Sequence, residues 1–185
     1  MTLCVNKASL RISLKSSRHT ISPQRREEAV EQLAKILLPK IASYQSILSF
    51  HSLPQEIDTA PLNALLSAEK KLFLPRVEGN RLLIYQVSNL DSELVQSPFH
   101  IWEPNPNLCT PCALENIDCI LVPGLGFDSN NHRIGYGKGH YDRLLAKVNE
   151  SSFKPMLIGL GFKEQYVEVI PSEPHDIPLT ELVLL

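Results

Sequence analysis

The chain has 185 residues, 43% of them hydrophobic and 21% charged, with a formal net charge of -2. That length buries a sizeable core without needing a disulfide or a metal. The near-neutral balance argues against a general nucleic-acid binder, and no run approaches the ~20 apolar residues that would span a bilayer, so no nucleic-acid or membrane partner is expected.

The N-terminus lacks the apolar core and small-residue cleavage site of a secretory signal, and a cytoplasmic protein is expected. A first helix is expected over Lys7 to Arg18. At ~100° per residue its four basic residues, Lys7, Arg11, Lys15 and Arg18, fall within a stripe of about 80° beside Leu10 and Leu14. The lack of acids before Ser22 is also how a mitochondrial transit peptide reads. Lys15 and Arg18 are read as solvated-face residues, the commoner state of such side chains.

Ser22 as N-cap and Pro23 at the first helical position open a second helix, with Glu27 and Glu28 near its positive end. Its apolar stripe is Val30, Leu33, Ala34 and Leu37, and Pro39 is expected to end or kink it. Ser46 to Leu53 reads as a strand, broken at Pro54, before a third helix entered through Asp58, Thr59 and Pro61. Lys71 to Val77 and Arg81 to Val87 form a hairpin about Glu78-Gly79-Asn80.

Ser88 to Glu115, rich in Pro, Asn and Ser, reads as a long ordered loop with little regular structure. Its Cys109-Thr-Pro-Cys112 is only half of a zinc site, and reduced loop cysteines are the reading. Ile117 to Val122 and Pro155 to Gly161 suit strands buried on both faces. Tyr141, Leu144, Leu145 and Val148 make a helical stripe, and Leu179 to Leu185 an edge strand. Strands alternating with helices indicate an α/β domain with helices on both sides of a mixed sheet, the hairpin being its antiparallel part.

The most informative stretch is the buried strand that runs into Val122-Pro-Gly-Leu-Gly-Phe-Asp128, followed by Arg133-Ile134-Gly135-Tyr136-Gly137-Lys138-Gly139-His140-Tyr141-Asp142. Glycine at every second position lets backbone N–H groups close on an anion. A helix starting near Gly139 points its positive end the same way, and Arg133 and Lys138 add charge. The spacing matches neither the P-loop nor the dinucleotide fingerprint, so a flexible turn stays open as an alternative. Asp142 suits a Mg²⁺ held by one carboxylate plus substrate phosphates, or equally a residue that only satisfies the helix dipole.

These segments resemble the 5-formyltetrahydrofolate cyclo-ligase family, also called methenyltetrahydrofolate synthetase, in family order along nearly the whole chain. The matching pieces are Lys7-x-x-Leu10-Arg11, Gln55-Glu56-Ile57-Asp58-Thr59, Leu74-Pro75-Arg76, Val122 to Asp128, Arg133 to Asp142, and Pro174-His175-Asp176-Ile177-Pro178-Leu179. The resemblance implies one domain over residues 1–185, with a mixed, largely parallel sheet between helix layers as in the NagB/RpiA/CoA-transferase-like fold.

It also implies ATP-dependent closure of 5-formyltetrahydrofolate to 5,10-methenyltetrahydrofolate through phosphorylation of the formyl oxygen, in a monomer. Lys7 and Arg11 would meet ATP phosphates, and the loop from Arg133 through Ile134, Gly135, Tyr136, Gly137, Lys138, Gly139 and His140 to Tyr141 would wrap the nucleotide. Lys7, Arg133 and Lys138 would neutralise charge in the transfer. Asp142, helped by Asp176, would hold Mg²⁺. Glu56 would hold the reduced folate, with His51, Trp102, Tyr136 and His140 lining its pocket. His140 stands where family members usually carry tyrosine. A non-catalytic folate binder, another phosphotransferase and a sugar-phosphate enzyme are the competing functions.

Overall fold

The computed structural model describes residues 6–97, 101–173 and 176–185. Seven strands form one sheet in the order β11-β10-β7-β1-β2-β3-β6. They are β1 (Ile47–Leu48), β2 (Leu72–Glu78), β3 (Arg81–Gln86), β6 (Thr110–Cys112), β7 (Cys119–Pro123), β10 (Met156–Gly161) and β11 (Glu181–Leu184). The pairings from β11 through β2 are all parallel, whereas β3 runs antiparallel to β2 and to β6. The expected hairpin is present, with Gly79 at φ +60° in its turn, a backbone angle that glycine takes without steric cost.

Alternation along the strands sorts the core into two layers. Ile47, Leu72, Leu74, Cys119, Leu121, Ile158 and Leu160 face α2 (Pro23–Ile41) and α3 (Ala60–Ala68). Their neighbours Leu48, Phe73, Ile120, Val122 and Leu157 face α4 (His140–Glu150). Such strands, apolar on both faces, are what a parallel sheet covered on two sides requires. The chain leaves β1 for β2 on one side, and β7 later returns to the other side of β1. The crevice at the carboxyl ends of β1 and β7 is therefore a topological switch point, where ligands of open α/β sheets bind.

A third apolar cluster joins α1 (Lys7–His19) to the two-stranded ribbon β8 (Gly126–Phe127) and β9 (Arg133–Ile134), with Leu14 packed against Leu125, Ile134 and Ile170. The ribbon's turn is tied by Asp128, fully buried, whose carboxylate accepts from the backbone N–H groups of Asn130, His132 and Ile170 at 2.9–3.0 Å.

Several expectations need correction. The helix α2 runs through Pro39 to Ile41. A proline inside a helix costs roughly 3 kcal/mol, and burying Ile41, 1% exposed, returns about 1.5–3 kcal/mol against it. Glu27 and Glu28 lie beyond the first turn of α2, which contains no acid. The first strand is only two residues long, because the carbonyl of Phe50 is taken by the Thr59 hydroxyl at 2.7 Å and the Asn63 amide at 3.0 Å, which pulls the chain out of the sheet. The expected loop after Ser88 contains β6 and a second ribbon, β4 (Leu94–Gln96) with β5 (Trp102–Pro104).

Candidate functional site

A cleft of about 370 Å³ opens at the carboxyl ends of the parallel strands. Phe50, His51, Leu53 and Glu56 come from the segment after β1, Pro75 and Val77 from β2, Pro123 from the end of β7, and every residue from Gly135 to Asp142 from the glycine-rich loop and the start of α4. Its walls are apolar toward Phe50, Leu82 and Ile101 and charged toward Arg133, Lys138 and Asp142.

Gly137 at φ +99° and Gly139 at φ +70° give the loop its path, and Gly139 is the left-handed N-cap of α4. Any Cβ at 139 would meet the Arg143 guanidinium at 2.8 Å. That guanidinium ties the loop down, donating to the carbonyls of Asn80 at 2.7 Å and Lys138 at 2.9 Å. The first turn of α4 thus presents open N–H groups toward the cleft, as an anion site requires.

Two ion-paired cations flank this loop. Arg133, with a side chain 5% exposed, pairs with Asp142, while its Nε is buried without a hydrogen-bond partner and its guanidinium lies 5.7 Å from the Tyr141 ring centroid. Burial disfavours its charge, and Asp142 opposes that. From α1, Lys7 reaches Glu173 at 2.6 Å and Asp176 at 2.7 Å. Burial works against its charge, yet the two carboxylates outweigh it and hold the Lys7 pKa above its ordinary value. Arg11 donates to the Gly135 carbonyl at 2.9 Å. The basic stripe of α1 is therefore turned inward onto the glycine-rich loop, apart from exposed Lys15.

Glu56, which lines the same cleft, is 9% exposed. Its Oε2 accepts from the Leu53 N–H at 2.8 Å and its Oε1 from the Tyr136 hydroxyl at 2.5 Å. Burial pushes the carboxyl pKa up, against these two donors and the Arg18 charge. Burial also raises Tyr136 and Tyr141, with Glu56 adding to both, and the Tyr141 hydroxyl is buried without a hydrogen-bond partner. His51 is pushed down by burial.

The structure thus brings His51, Glu56, Arg133, Tyr136, Lys138, His140, Tyr141 and Asp142 to one cleft, with Arg11 bonded to its loop. Ile134 points into the α1 cluster instead. Trp102 is 45% exposed and does not line the cleft, whereas its neighbour Glu103 does, because adjacent strand residues face opposite ways. Lys7 and Asp176 meet each other beside the loop, and Pro174 and His175 lie outside the described residues.

Arg18, read from the sequence as solvated, is 3% exposed and bonds Tyr136. Its i+4 and i+7 spacing from Leu14 and Arg11 was the available signal. Among the described cysteines, Cys109, Cys112 and Cys119 are free thiols, and Cys4 lies outside the described residues. No group of three or more His, Cys, Asp or Glu among the described residues forms a ready metal cage.

Residues 4–184 match the model of the 5-formyltetrahydrofolate cyclo-ligase family. The chain is 31% identical over 190 residues to 5-formyltetrahydrofolate cyclo-ligase of Mus musculus, covering 96% of this chain and 92% of that one. It is 30% identical over 177 residues to the enzyme of that name from Escherichia coli K12, covering 92% and 95%. The NMR structure of Aquifex aeolicus 5,10-methenyltetrahydrofolate synthetase matches with a TM-score of 0.81 at 31% identity, covering 96% of this chain and 89% of that one.

Proposed function

The chain belongs to the 5-formyltetrahydrofolate cyclo-ligase family, and from that premise we propose that the cleft closes 5-formyltetrahydrofolate to 5,10-methenyltetrahydrofolate at the expense of ATP. The observation that carries the reading is the pairing, in one cleft, of a glycine-rich cationic loop with a buried carboxylate at the end of an apolar slot. A non-catalytic folate binder would have no use for the first feature, and another phosphotransferase none for the second.

A formamide carbonyl is a poor electrophile and the N10 arylamine a weak nucleophile, so ring closure needs a leaving group. Transfer of the γ-phosphoryl from ATP to the formyl oxygen supplies it and releases ADP. The N10 lone pair then attacks the formyl carbon, the carbon–oxygen bond breaks, phosphate leaves with that oxygen, and N10 gives up its proton. Phosphoryl transfer asks for alignment and charge neutralisation, which the loop N–H groups, Arg133, Lys138, Lys7 and Arg11 can provide. Glu56 accepts the two adjacent N–H donors of the pteridine amino-amide edge, using the lone pairs its protein partners leave open.

Asp142, with Asp176 in support, would hold Mg²⁺. A half-exposed carboxylate at the cation-rich mouth of the cleft fits a hard cation that takes its remaining ligands from phosphate and water. When bound, the ion would neutralise charge on the phosphate oxygens. Incubation of the protein with 5-formyltetrahydrofolate should generate the near-ultraviolet methenyl band only when ATP is present. Absence of that band with ATP, under conditions where folate binds, would leave a binding protein as the function.

A further inference from the structure

We propose that Arg18 is a positioning residue that holds the Glu56 carboxylate in its substrate-accepting orientation through the hydroxyl of Tyr136. The inference rests on the reading of Glu56 as the folate contact and adds to it a residue that touches no substrate.

The geometry has one polarity. Arg18 Nη1 donates to the Tyr136 hydroxyl oxygen at 2.5 Å, and that hydroxyl, having a single proton, donates its hydrogen bond to Glu56 Oε1 at 2.5 Å. The same guanidinium lies 5.2 Å from the Tyr136 ring centroid, so it fixes the ring as well as the hydroxyl. Glu56 Oε2 is held separately by the Leu53 N–H. The backbone on either side is clamped by a second arginine: Arg26 of α2 donates to the carbonyls of Arg18 at 2.6 Å, Gln55 at 3.1 Å and Ile21 at 3.3 Å. One arginine thus fixes the segment that carries Glu56, and the other fixes its side chain.

Arg18 is an expensive choice if only helix packing were at stake. It is buried, and its Nε has no hydrogen-bond partner, a cost that an apolar residue would avoid. What the guanidinium contributes in return is a positive charge that opposes the effect of burial on Glu56, and a directed donor that orients the Tyr136 hydroxyl toward that carboxylate.

The test uses Arg18→Gln, Arg18→Lys, Tyr136→Phe and the Arg18→Gln/Tyr136→Phe double variant, with steady-state kinetics and calorimetric binding of 5-formyltetrahydrofolate. Arg18→Gln and Tyr136→Phe should each raise the KM and the Kd for 5-formyltetrahydrofolate about tenfold or more, as expected for a lost hydrogen bond in a charged chain. In Arg18→Gln, whose side chain does not line the cleft, the KM for ATP and kcat should stay within about threefold of wild type. The double variant should be no worse than the more affected single variant, since both break one relay. Arg18→Lys should recover part of the loss.

Additive losses in the double variant, a normal folate KM in Tyr136→Phe, or a loss in Arg18→Gln that falls on the ATP KM would overturn the proposal. Thermal unfolding identifies a variant that fails to fold, and if Arg18→Gln does, Tyr136→Phe decides alone. If the wild type makes no methenyl product, the proposed reaction fails, yet the calorimetric comparison still decides the relay.

Discussion

At the loop end of the cleft the cations already have carboxylate partners, Lys7 with Glu173 and Asp176 and Arg133 with Asp142. In the same cleft the buried carboxylate of Glu56 is answered by a backbone N–H and by the hydroxyl of the loop residue Tyr136. Glu173 and Asp142 are about half exposed, with side-chain exposures of 57% and 49%. Because Glu173 and Asp142 face solvent, phosphate oxygens can take their place while the largely buried cations stay paired. A buried carboxylate that loses one donor with no replacement costs about 1–3 kcal/mol. The cations thus form an exchangeable set, paired with carboxylates that face solvent, whereas the Glu56 carboxylate is set by donors of the fold itself.

Asp142→Asn attacks the exchangeable set and carries the largest expected effect. It keeps the shape and removes the charge that would hold Mg²⁺, so kcat should fall by on the order of a hundredfold or more and the Mg²⁺ requirement should rise. Loss of the carboxylate partner of buried Arg133 should lower the melting temperature as well. A Mg²⁺ titration of methenyl formation, run beside thermal unfolding, separates the two. An unchanged Mg²⁺ requirement with near-normal kcat would take Asp142 out of the metal site.

Glu56→Gln probes the fixed carboxylate. The kcat/KM for the folate should fall about a hundredfold, since the amide offers one acceptor where the carboxylate offers two. Stability should move the other way. The native Glu56 pKa lies above its unfolded value, so between the two values the folded chain holds the extra proton. The contribution of Glu56 to stability therefore declines as pH rises through that window, and the glutamine variant should lose this decline. Thermal unfolding across pH 4 to 8, compared between the two proteins, reads it out.

Lys7→Gln returns to the exchangeable set. Removing one charge-assisted phosphate contact should raise the KM for ATP about tenfold or more, with some loss of stability because the largely buried pair with Asp176 is lost along with the half-exposed one with Glu173. Full activity in a chain starting after Arg18 would contradict any role for α1. The smallest effect should come from Cys109→Ser with Cys112→Ser. Both thiols donate only to backbone carbonyls at 3.3 Å, a bond that serine can also make. Activity within a few-fold of wild type is expected, and loss of both zinc and activity would say otherwise.

Regular structure was legible where a local signal agreed with the tertiary one. Ser22-Pro23 capped α2, Gly79 marked the hairpin turn, and the apolar run before Pro123 gave the central strand β7. It failed where distant contacts decided. Ile41 in the core carries α2 past Pro39, the Thr59 and Asn63 side chains end β1 early, and β6 forms only because the edge of β3 lies open to it.

The site followed the same rule. The loop from Arg133 to Asp142 was visible as a contiguous motif, whereas the Arg18 to Tyr136 to Glu56 chain joins three separate segments that no spacing links. Trp102 was expected in the pocket from the family resemblance, and the pairing of β4 with β5 instead leaves Glu103 in the cleft lining.

The fate of the formyl oxygen reports whether it is phosphorylated on the way to the methenyl product. With 5-formyltetrahydrofolate carrying ¹⁸O in its formyl group, ATP and the protein, the released inorganic phosphate should carry the label, one labelled oxygen per methenyl group formed. Unlabelled phosphate with the heavy oxygen recovered in water would contradict it, because the oxygen would then have left without ever being bonded to phosphorus.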